Sequence, residues 1–120
     1  MNKQMALQYV IENEIVGIKA GLQRETFLDI WMVVVNDRIF ARSWGFAKKS
    51  WYNTFLEDSI GQIRCGKAIL SVNACIPSDI DELTSHINNA YLTKYSTKQY
   101  AKPITEKEHV EKTMEFIICE

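Results

Sequence analysis

The strongest constraint on the fold of this chain is the β-hairpin that its sequence predicts around Asn36 and Asp37. Residues 27–35 form a nearly continuous apolar run, and residues 38–43 form a second strand-like run. A pair of turn-forming residues between two such runs is typical of a two-residue hairpin turn. The chain is therefore expected to contain antiparallel sheet.

A second hairpin is predicted around Gly66 and Lys67, with strands at 61–65 and 67–76. Its register pairs Cys65 with Ala68, which leaves Cys75 too far away for a disulfide with Cys65. The other predicted elements are, in chain order, a helix at 3–11, a strand at 14–19, a helix at 51–56 capped by Ser50, a turn or helix opened by a capping box from Thr105 to Glu108, and a strand at 113–119.

The longest predicted helix runs from about Asp79 to Lys94, with Ser78 as its N-cap. Its apolar residues recur at helical spacing, whereas those of strand 67–76 alternate, so each element has one apolar face that needs a partner. We expect these two faces to share one core, made of Leu70, Val72, Ile80, Leu83 and Ile87.

Six strands and one long helix, without strict β-α-β alternation, predict an α+β fold. The sheet is expected to be mostly antiparallel and barrel-like, flanked by the long helix and by short helices. A chain of 120 residues is expected to form a single domain, 1–120, with one core.

The charge balance and the apolar pattern exclude several classes of function. A net charge of −1 argues against nucleic acid as the main partner, because the basic footprint that binds phosphate backbones is missing. No apolar run approaches the roughly 20 residues of a membrane span, and the N-terminus does not resemble a signal peptide, so no membrane partner and a cytoplasmic location are expected.

Neither the cysteines nor the histidines predict a metal site. Cys65, Cys75 and Cys119 are an odd number without a C-x-x-C pair, and we interpret all three as small apolar fillers. His86 and His109 have no carboxylate or cysteine at ligand spacing, so each is interpreted as a surface or half-buried structural residue, and no metal is expected.

The segment after the first hairpin has the residue types that bind a phosphorylated, planar ligand. Hydroxyl groups, cations and backbone N–H groups recognise phosphate, and aromatic faces stack on a heterocycle. The candidate residues are Arg42, Ser43, Gly45, Lys48, Lys49, Trp51 and Tyr52. The alternative is that the cations are solvated loop charges while Trp44 and Trp51 close the end of a barrel. Trp31, among apolar neighbours, is predicted to lie in the core.

The short motifs of the chain resemble those of a bacterial family known only as domain of unknown function 2255. They are W-x-V-V-V-x-D from Trp31, A-R-S-x-G from Ala41, S-W-Y from Ser50, and a later D…A-Y-x-x-K-Y element that ends at Tyr95. The resemblance covers roughly the whole chain. It extends to the flavin-binding split barrels, the superfamily of pyridoxamine phosphate oxidase and of the deazaflavin-dependent nitroreductases. It therefore implies a six-stranded split β-barrel.

The resemblance also implies a cofactor, FMN or a deazaflavin coenzyme, whose phosphate is held by the candidate residues from Arg42 to Lys49, with Trp51 and Tyr52 beside the ring. Lys94 and Tyr95 either reach the same pocket or are ordinary helix-end residues. Relatives with this barrel build the pocket across a homodimer interface, for which Trp44 and Phe46 are suited.

Two functions stay open at this point. The first is a flavin- or deazaflavin-dependent reductase of a small molecule, in which the cofactor supplies the chemistry that the chain itself lacks. The second is a non-redox module of the same fold that binds a phosphate-bearing metabolite or dimerises. In either binding function, replacing Arg42 by Ala is expected to weaken phosphate binding by about 1.5–3 kcal/mol and to leave the fold intact.

Overall fold

A computed structural model describes residues 2–45, 49–99 and 101–119. Within these ranges the chain forms seven strands, four α-helices and one short 3₁₀ helix, Pro103–Thr105. In chain order the other elements are α1 (Lys3–Glu12), β1 (Val16–Ala20), β2 (Leu28–Ile30), β3 (Val33–Val35), β4 (Arg38–Arg42), α2 (Trp51–Glu57), β5 (Ile60–Cys65), β6 (Ala68–Cys75), α3 (Ile80–Lys94), α4 (Lys107–Val110) and β7 (Thr113–Ile118).

The seven strands form one curled sheet in the order β2-β1-β5-β6-β7-β4-β3, and every neighbouring pair is antiparallel. The two edge strands, β2 and β3, are separated in sequence only by Trp31 and Met32. Six strand spacings in a flat sheet amount to about 29 Å. Because three residue steps span at most about 11 Å, the sheet must curl until its edges approach each other. The α+β class and the barrel-like, antiparallel sheet are thus confirmed.

The predicted strand at 27–35 is wrong, and the sheet consequently has seven strands instead of six. Its first half pairs with β1, with Val16 opposite Ile30, and its second half pairs with β4, with Val33 opposite Phe40. Both halves are mostly apolar, so nothing local in residues 27–35 marks the break between them. We call this junction of the two sheet edges, at Trp31 and Met32, the seam.

The concave side of the sheet is filled by an inner core to which α1 and α2 contribute. Helix α2 can approach β5 because Gly61 has no side chain: a Cβ atom there would lie 2.5 Å from the Lys19 carbonyl oxygen and 2.6 Å from the Phe55 ring. The Ser50 side chain caps α2 by accepting from the Asn53 N–H, as predicted. This seating fixes Trp51 at the start of the helix.

Helix α3 packs on the opposite, convex side of the sheet, where it forms a separate outer core. Leu83 and Ile87 contact this core together with Val33 and Phe40, whereas Leu70 and Val72 belong to the inner core. The prediction of one shared core is therefore wrong. The apolar face of β6 points into the barrel and is covered there, so the helix uses the outward face of β3 and β4 instead.

Both two-residue turns are confirmed. Asn36 and Asp37 have φ of 54° and 60°, as a type I′ turn requires, and Cys65 pairs with Ala68 across a turn that begins at Gly66.

Two predicted caps are wrong. The N-cap of α3 is Asp79 and not Ser78, and the Asp79 carboxylate is bound by the Arg38 guanidinium instead of by the helix. The N-cap of α4 is Glu106, and the Thr105 hydroxyl donates to the Lys102 carbonyl oxygen, so no capping box forms.

The cysteines differ from the prediction that all are fillers. Cys65 is buried, and burial raises the pKa of its thiol to about 11, but Cys75 is only half-buried and Cys119 is exposed. None of the described His, Cys, Asp and Glu residues groups into a possible metal site. No helix in the described ranges combines the length and apolar character of a membrane span.

Candidate functional site

A cavity of about 360 Å³ opens at the seam, and we call it the seam pocket. Its walls come from β2, from the end of β4 and from the start of α2. All three tryptophans of the chain line it, Trp31, Trp44 and Trp51. The remaining lining residues are Ile15, Arg24, Leu28, Asp29, Ile30, Arg42, Ser43, Gly45, Lys49 and Ser50. Five of the predicted cofactor residues are therefore brought together here: Arg42, Ser43, Gly45, Lys49 and Trp51.

Trp31 is half-buried and packs against the outer core, so the predicted core position is met in part, and at the strand break its ring also borders the pocket. Its ring stacks on the buried Tyr95 ring at 4.1 Å between centroids and 9° between planes. On another side it meets Trp44 edge-on at 6.3 Å, and Trp44 in turn lies 4.6 Å from the His109 ring. His109 is buried and not at the surface, and its Nδ1 is 2.9 Å from the Ser43 carbonyl oxygen. These ring contacts fix two walls of the pocket.

The cations at one end of the pocket are Lys49 and Arg24. The Arg24 guanidinium donates to the Lys49 carbonyl oxygen and, at 3.1 Å, to the Thr54 hydroxyl, so it ties the loop before β2 to α2. Sequence reasoning missed Arg24, because nothing local in residues 21–26 indicates that this loop meets residue 49. The sequence showed only that a cation, Arg24, lies just ahead of a predicted strand. It did not show which part of the chain would meet Arg24. Lys48 lies outside the described residues.

Arg42 is placed differently from the expectation of a phosphate clamp. It is 2% exposed, and its side chain extends into the interface between β4, α3 and β7. Its Nε donates to the Thr113 hydroxyl at 3.0 Å, and its Nη1 donates to the Asn88 side-chain oxygen and to the Ile104 carbonyl oxygen. No ion pair among the described residues includes Arg42, and burial lowers its pKa.

Ser43 and Gly45 form the rim of the pocket. The Ser43 hydroxyl donates to the Gly45 carbonyl oxygen at 2.7 Å, which closes a small turn. Among the described residues, a Cβ atom on Gly45 would meet nothing within 4 Å, so Gly45 itself is open to a ligand. The backbone of Ser43 is not, because its N–H donates to the Lys112 carbonyl oxygen and its carbonyl oxygen lies 2.9 Å from His109 Nδ1.

Trp51 and Tyr52 diverge, although they are adjacent. Trp51 lines the pocket while its ring also packs on Phe116 at 5.7 Å. Tyr52 does not line the pocket. Its hydroxyl donates to the Glu111 carbonyl oxygen at 3.4 Å, and burial raises its pKa. Because successive helix residues point about 100° apart, only one of the two can face the seam.

Lys94 and Tyr95 do not line the seam pocket but anchor the seam. The Lys94 ammonium donates to the Val10 carbonyl oxygen, at the end of α1, and to the Met32 carbonyl oxygen at 2.6 Å. The Tyr95 hydroxyl donates its one hydrogen to the Glu14 carbonyl oxygen at 2.5 Å, and the Met32 carbonyl oxygen is a more distant acceptor at 3.4 Å. Both residues thus satisfy backbone groups that the strand break and the helix end leave open.

A curled antiparallel half-barrel with an aromatic pocket at its seam defines the class of α+β protein to which this chain belongs. The chain belongs to the family described as an uncharacterized protein conserved in bacteria (DUF2255), whose profile matches residues 8–116. No curated protein matches the chain. Among solved structures, it is similar to a conserved hypothetical protein, Rv2991, from Mycobacterium tuberculosis, with a TM-score of 0.63 and 12% identity over 97% of this chain and 78% of that one. At this identity the likeness concerns the fold alone.

Proposed function

We propose that this protein binds a planar, phosphate-bearing cofactor of the flavin or deazaflavin type in the seam pocket, and that the bound cofactor reduces a small molecule. The observation that carries the proposal is the joint presence of all three tryptophans and of two exposed cations, Arg24 and Lys49, besides the buried Arg42, around one cavity of about 360 Å³. Indole faces stack on planar heterocycles, and cations near hydroxyls complement a phosphate.

The distribution of charge gives the ligand an orientation. Lys49, Arg24 and the Ser50 hydroxyl lie toward α2, so the phosphate belongs at that end. Trp31 and Trp44, which lie outside α2 and contact each other with their rings 6.3 Å apart, suit the ring system. The carboxylate of Asp29 also lines the pocket, but it is 3.9 Å from the Arg64 guanidinium, which offsets its charge.

The type of cofactor is supported by the motifs that resemble the flavin-binding split barrels. The A-R-S-x-G and S-W-Y elements of that resemblance supply Ser43, Gly45, Ser50 and Trp51 to the pocket. A flavin carries the electron-transfer chemistry itself. The chain then needs only to hold the phosphate, stack the ring and leave room for a substrate.

Tryptophan fluorescence provides a direct test, because a flavin bound among the three indoles would quench their emission. The purified protein is titrated separately with flavin mononucleotide, a deazaflavin coenzyme and pyridoxal phosphate. We expect saturable quenching at micromolar concentration with one of the first two. Lys49→Met and Arg24→Met should each weaken that binding by at least tenfold, because each removes a charge-assisted contact worth about 1.5–3 kcal/mol.

Lys107→Met is the matched control, since Lys107 lies on α4 with a side chain that is 88% exposed and is not part of the pocket. If none of the three compounds binds below millimolar concentration, the proposal fails. If only pyridoxal phosphate binds, the alternative of a non-redox module for a phosphorylated metabolite is the better description.

We also propose that the protein is a homodimer. Three large apolar side chains at the pocket are exposed, Ile15, Leu28 and Trp44, with Trp44 40% exposed. An exposed apolar rim of this kind suits contact with a second copy. Light scattering is expected to give twice the chain mass of 13.9 kDa at micromolar concentration, and a mass of 13.9 kDa contradicts the dimer. Phe46, the other aromatic residue predicted for this interface, lies outside the described residues.

A further inference from the structure

A second cavity, of about 550 Å³, lies beside the edge strand β3, and we call it the edge groove. It runs between the end of α1 and the exposed side of α3, along the edge strand β3. Its lining consists of Ile11, Val33, Val34, Val35, His86, Asn89, Ala90, Thr93 and Lys94. The groove shares no lining residue with the seam pocket.

The edge strand leaves backbone groups available to a ligand in this groove. Val35 and Arg38 flank the two-residue turn, so they form a hydrogen-bonded pair, and Val34 and Ile39 form the next, non-hydrogen-bonded pair. The N–H and C=O groups of Val34 consequently point away from β4. No other strand pairs with that edge within the described part of the sheet.

The polar lining of the groove favours an anionic ligand. Lys94 and His86 contribute the ionisable groups, Asn89 and Thr93 add neutral polar ones, and no carboxylate is among the lining residues. Two of the three N–H bonds of the Lys94 ammonium are given to the Val10 and Met32 carbonyl oxygens, which leaves one. Burial lowers the pKa of Lys94 to about 8, so the ammonium form still predominates at pH 7.

The apolar residues that line the groove indicate that the rest of the ligand is aliphatic. Ile11, which is 54% exposed, and the half-buried Val34, Val35 and Ala90 provide an aliphatic surface along the groove, and Val33 lies buried beneath it in the outer core. Residues of α1 and α3 line the groove on either side of β3, which leaves less room for a strand of a second copy than for an alkyl chain.

We infer that the edge groove is a binding site for a small amphipathic carboxylate, whose alkyl chain lies along β3 and whose carboxylate accepts from the Lys94 ammonium and from the Val34 N–H. This site goes beyond the proposed function and does not depend on it. The site is defined by three features together: an edge strand, an ammonium group in a groove that no carboxylate lines, and an aliphatic wall, while Glu14, outside the lining, is the carboxylate that acts on Lys94.

Octanoate is a suitable probe, and 1-octanol is its neutral counterpart with the same chain. Amide chemical shifts of the ¹⁵N-labelled protein are followed during each titration. We expect octanoate to shift the amides of residues 33–35 and 89–94, with an affinity at least tenfold higher than that of octanol. Lys94→Met should remove that advantage by lowering octanoate affinity at least tenfold, and Lys107→Met should not change it.

Because Lys94→Met also removes hydrogen bonds at the seam, a second variant tests the groove without changing Lys94. Thr93 is exposed and lines the groove, so Thr93→Phe fills the cavity without entering a core and should abolish octanoate binding. Neither Thr93→Phe nor Lys107→Met should alter flavin mononucleotide binding, which separates this site from the seam pocket. The inference is overturned if octanoate does not bind below about 10 mM, if its shifts fall on residues 28–30 and 43–51, or if octanol binds equally well.

Discussion

Replacement of the buried Arg42 is expected to destabilise the protein, and the size of the effect can be worked from its contacts. Arg42→Met keeps the aliphatic stem but removes the guanidinium, which donates to the Thr113 hydroxyl, the Asn88 side chain and the Ile104 carbonyl oxygen. Its Nη2 also lies 3.4 Å from the Thr84 carbonyl oxygen. Hydrogen bonds from a charged donor contribute about 1.5–3 kcal/mol each.

Arg42→Met also removes the cost of burying the guanidinium charge, and this gain offsets part of the loss. The Arg42 cation is buried without a carboxylate, and removing a buried charge regains several kcal/mol. The acceptors left behind cost about 1–3 kcal/mol, except that the Thr113 hydroxyl still donates to the Val110 carbonyl oxygen at 2.7 Å. We therefore expect a net loss of about 2–4 kcal/mol for Arg42→Met. Arg42→Lys should lose at least as much, because it retains the buried charge but not the forked donor geometry.

Urea denaturation followed by circular dichroism measures both losses. Arg64→Met is the control: Arg42 lies over the Tyr91 ring at 5.6 Å and Arg64 lies over the Phe27 ring at 4.8 Å, but the Arg64 side chain is 45% exposed. It should lose less than about 1 kcal/mol. If Arg42→Met unfolds within about 0.5 kcal/mol of the wild type while phosphate-ligand binding disappears, the reasoning fails and Arg42 is a ligand clamp. This outcome would restore the expectation drawn from the sequence.

Three further predictions concern charged groups. Asn88→Asp should stabilise the protein by about 1 kcal/mol, by giving Arg42 a counter-ion, and a double-mutant cycle should show no gain in the Arg42→Met background. The pKa of Lys94, lowered to about 8 by burial, means that the unfolded state binds more protons between pH 8 and 10.5. Denaturation at pH 7.5 and 9.5 should therefore show stability rising with pH relative to Lys94→Met, and an unchanged difference contradicts it. Arg38 holds the pKa of Asp79 below its ordinary value, so wild-type stability should fall as pH drops through the acid range, and denaturation midpoints of Arg38→Met should fall less steeply.

Local sequence signals predicted what depends on neighbouring residues. The turns at Asn36-Asp37 and Gly66, the Ser50 cap and the span of α3 all follow from residues within a few positions of each other. The strand break at Trp31 does not follow from neighbouring residues, because both halves of residues 27–35 are mostly apolar and yet they pair with different strands. One half pairs with β1 and the other with β4, and only the topology distinguishes them.

The candidate site likewise has some features that the sequence predicts and others that depend on distant contacts. A segment rich in cations and aromatic rings was recognisable from sequence, and five of its predicted members do line the seam pocket. The direction of each side chain could not be recognised from the sequence, because it depends on partners far along the chain. Arg42 finds Asn88 and Thr113, and Tyr52 finds Glu111. Arg24 joined the pocket only through a contact 25 residues away in sequence.

The seam explains why the pocket lies where it does. A strand that changes sheet edges must leave its ladder for two residues, which orphans the Met32 carbonyl oxygen and turns Trp31 outward. Lys94 donates to that oxygen at 2.6 Å, the Tyr95 hydroxyl lies 3.4 Å from it, and the Tyr95 ring stacks on the Trp31 ring. The same break therefore explains the K-Y pair at the end of α3 and places the half-buried Trp31 indole at the wall of the seam pocket. This accounts for two distant sequence motifs, W-x-V-V-V and K-Y, through one structural requirement.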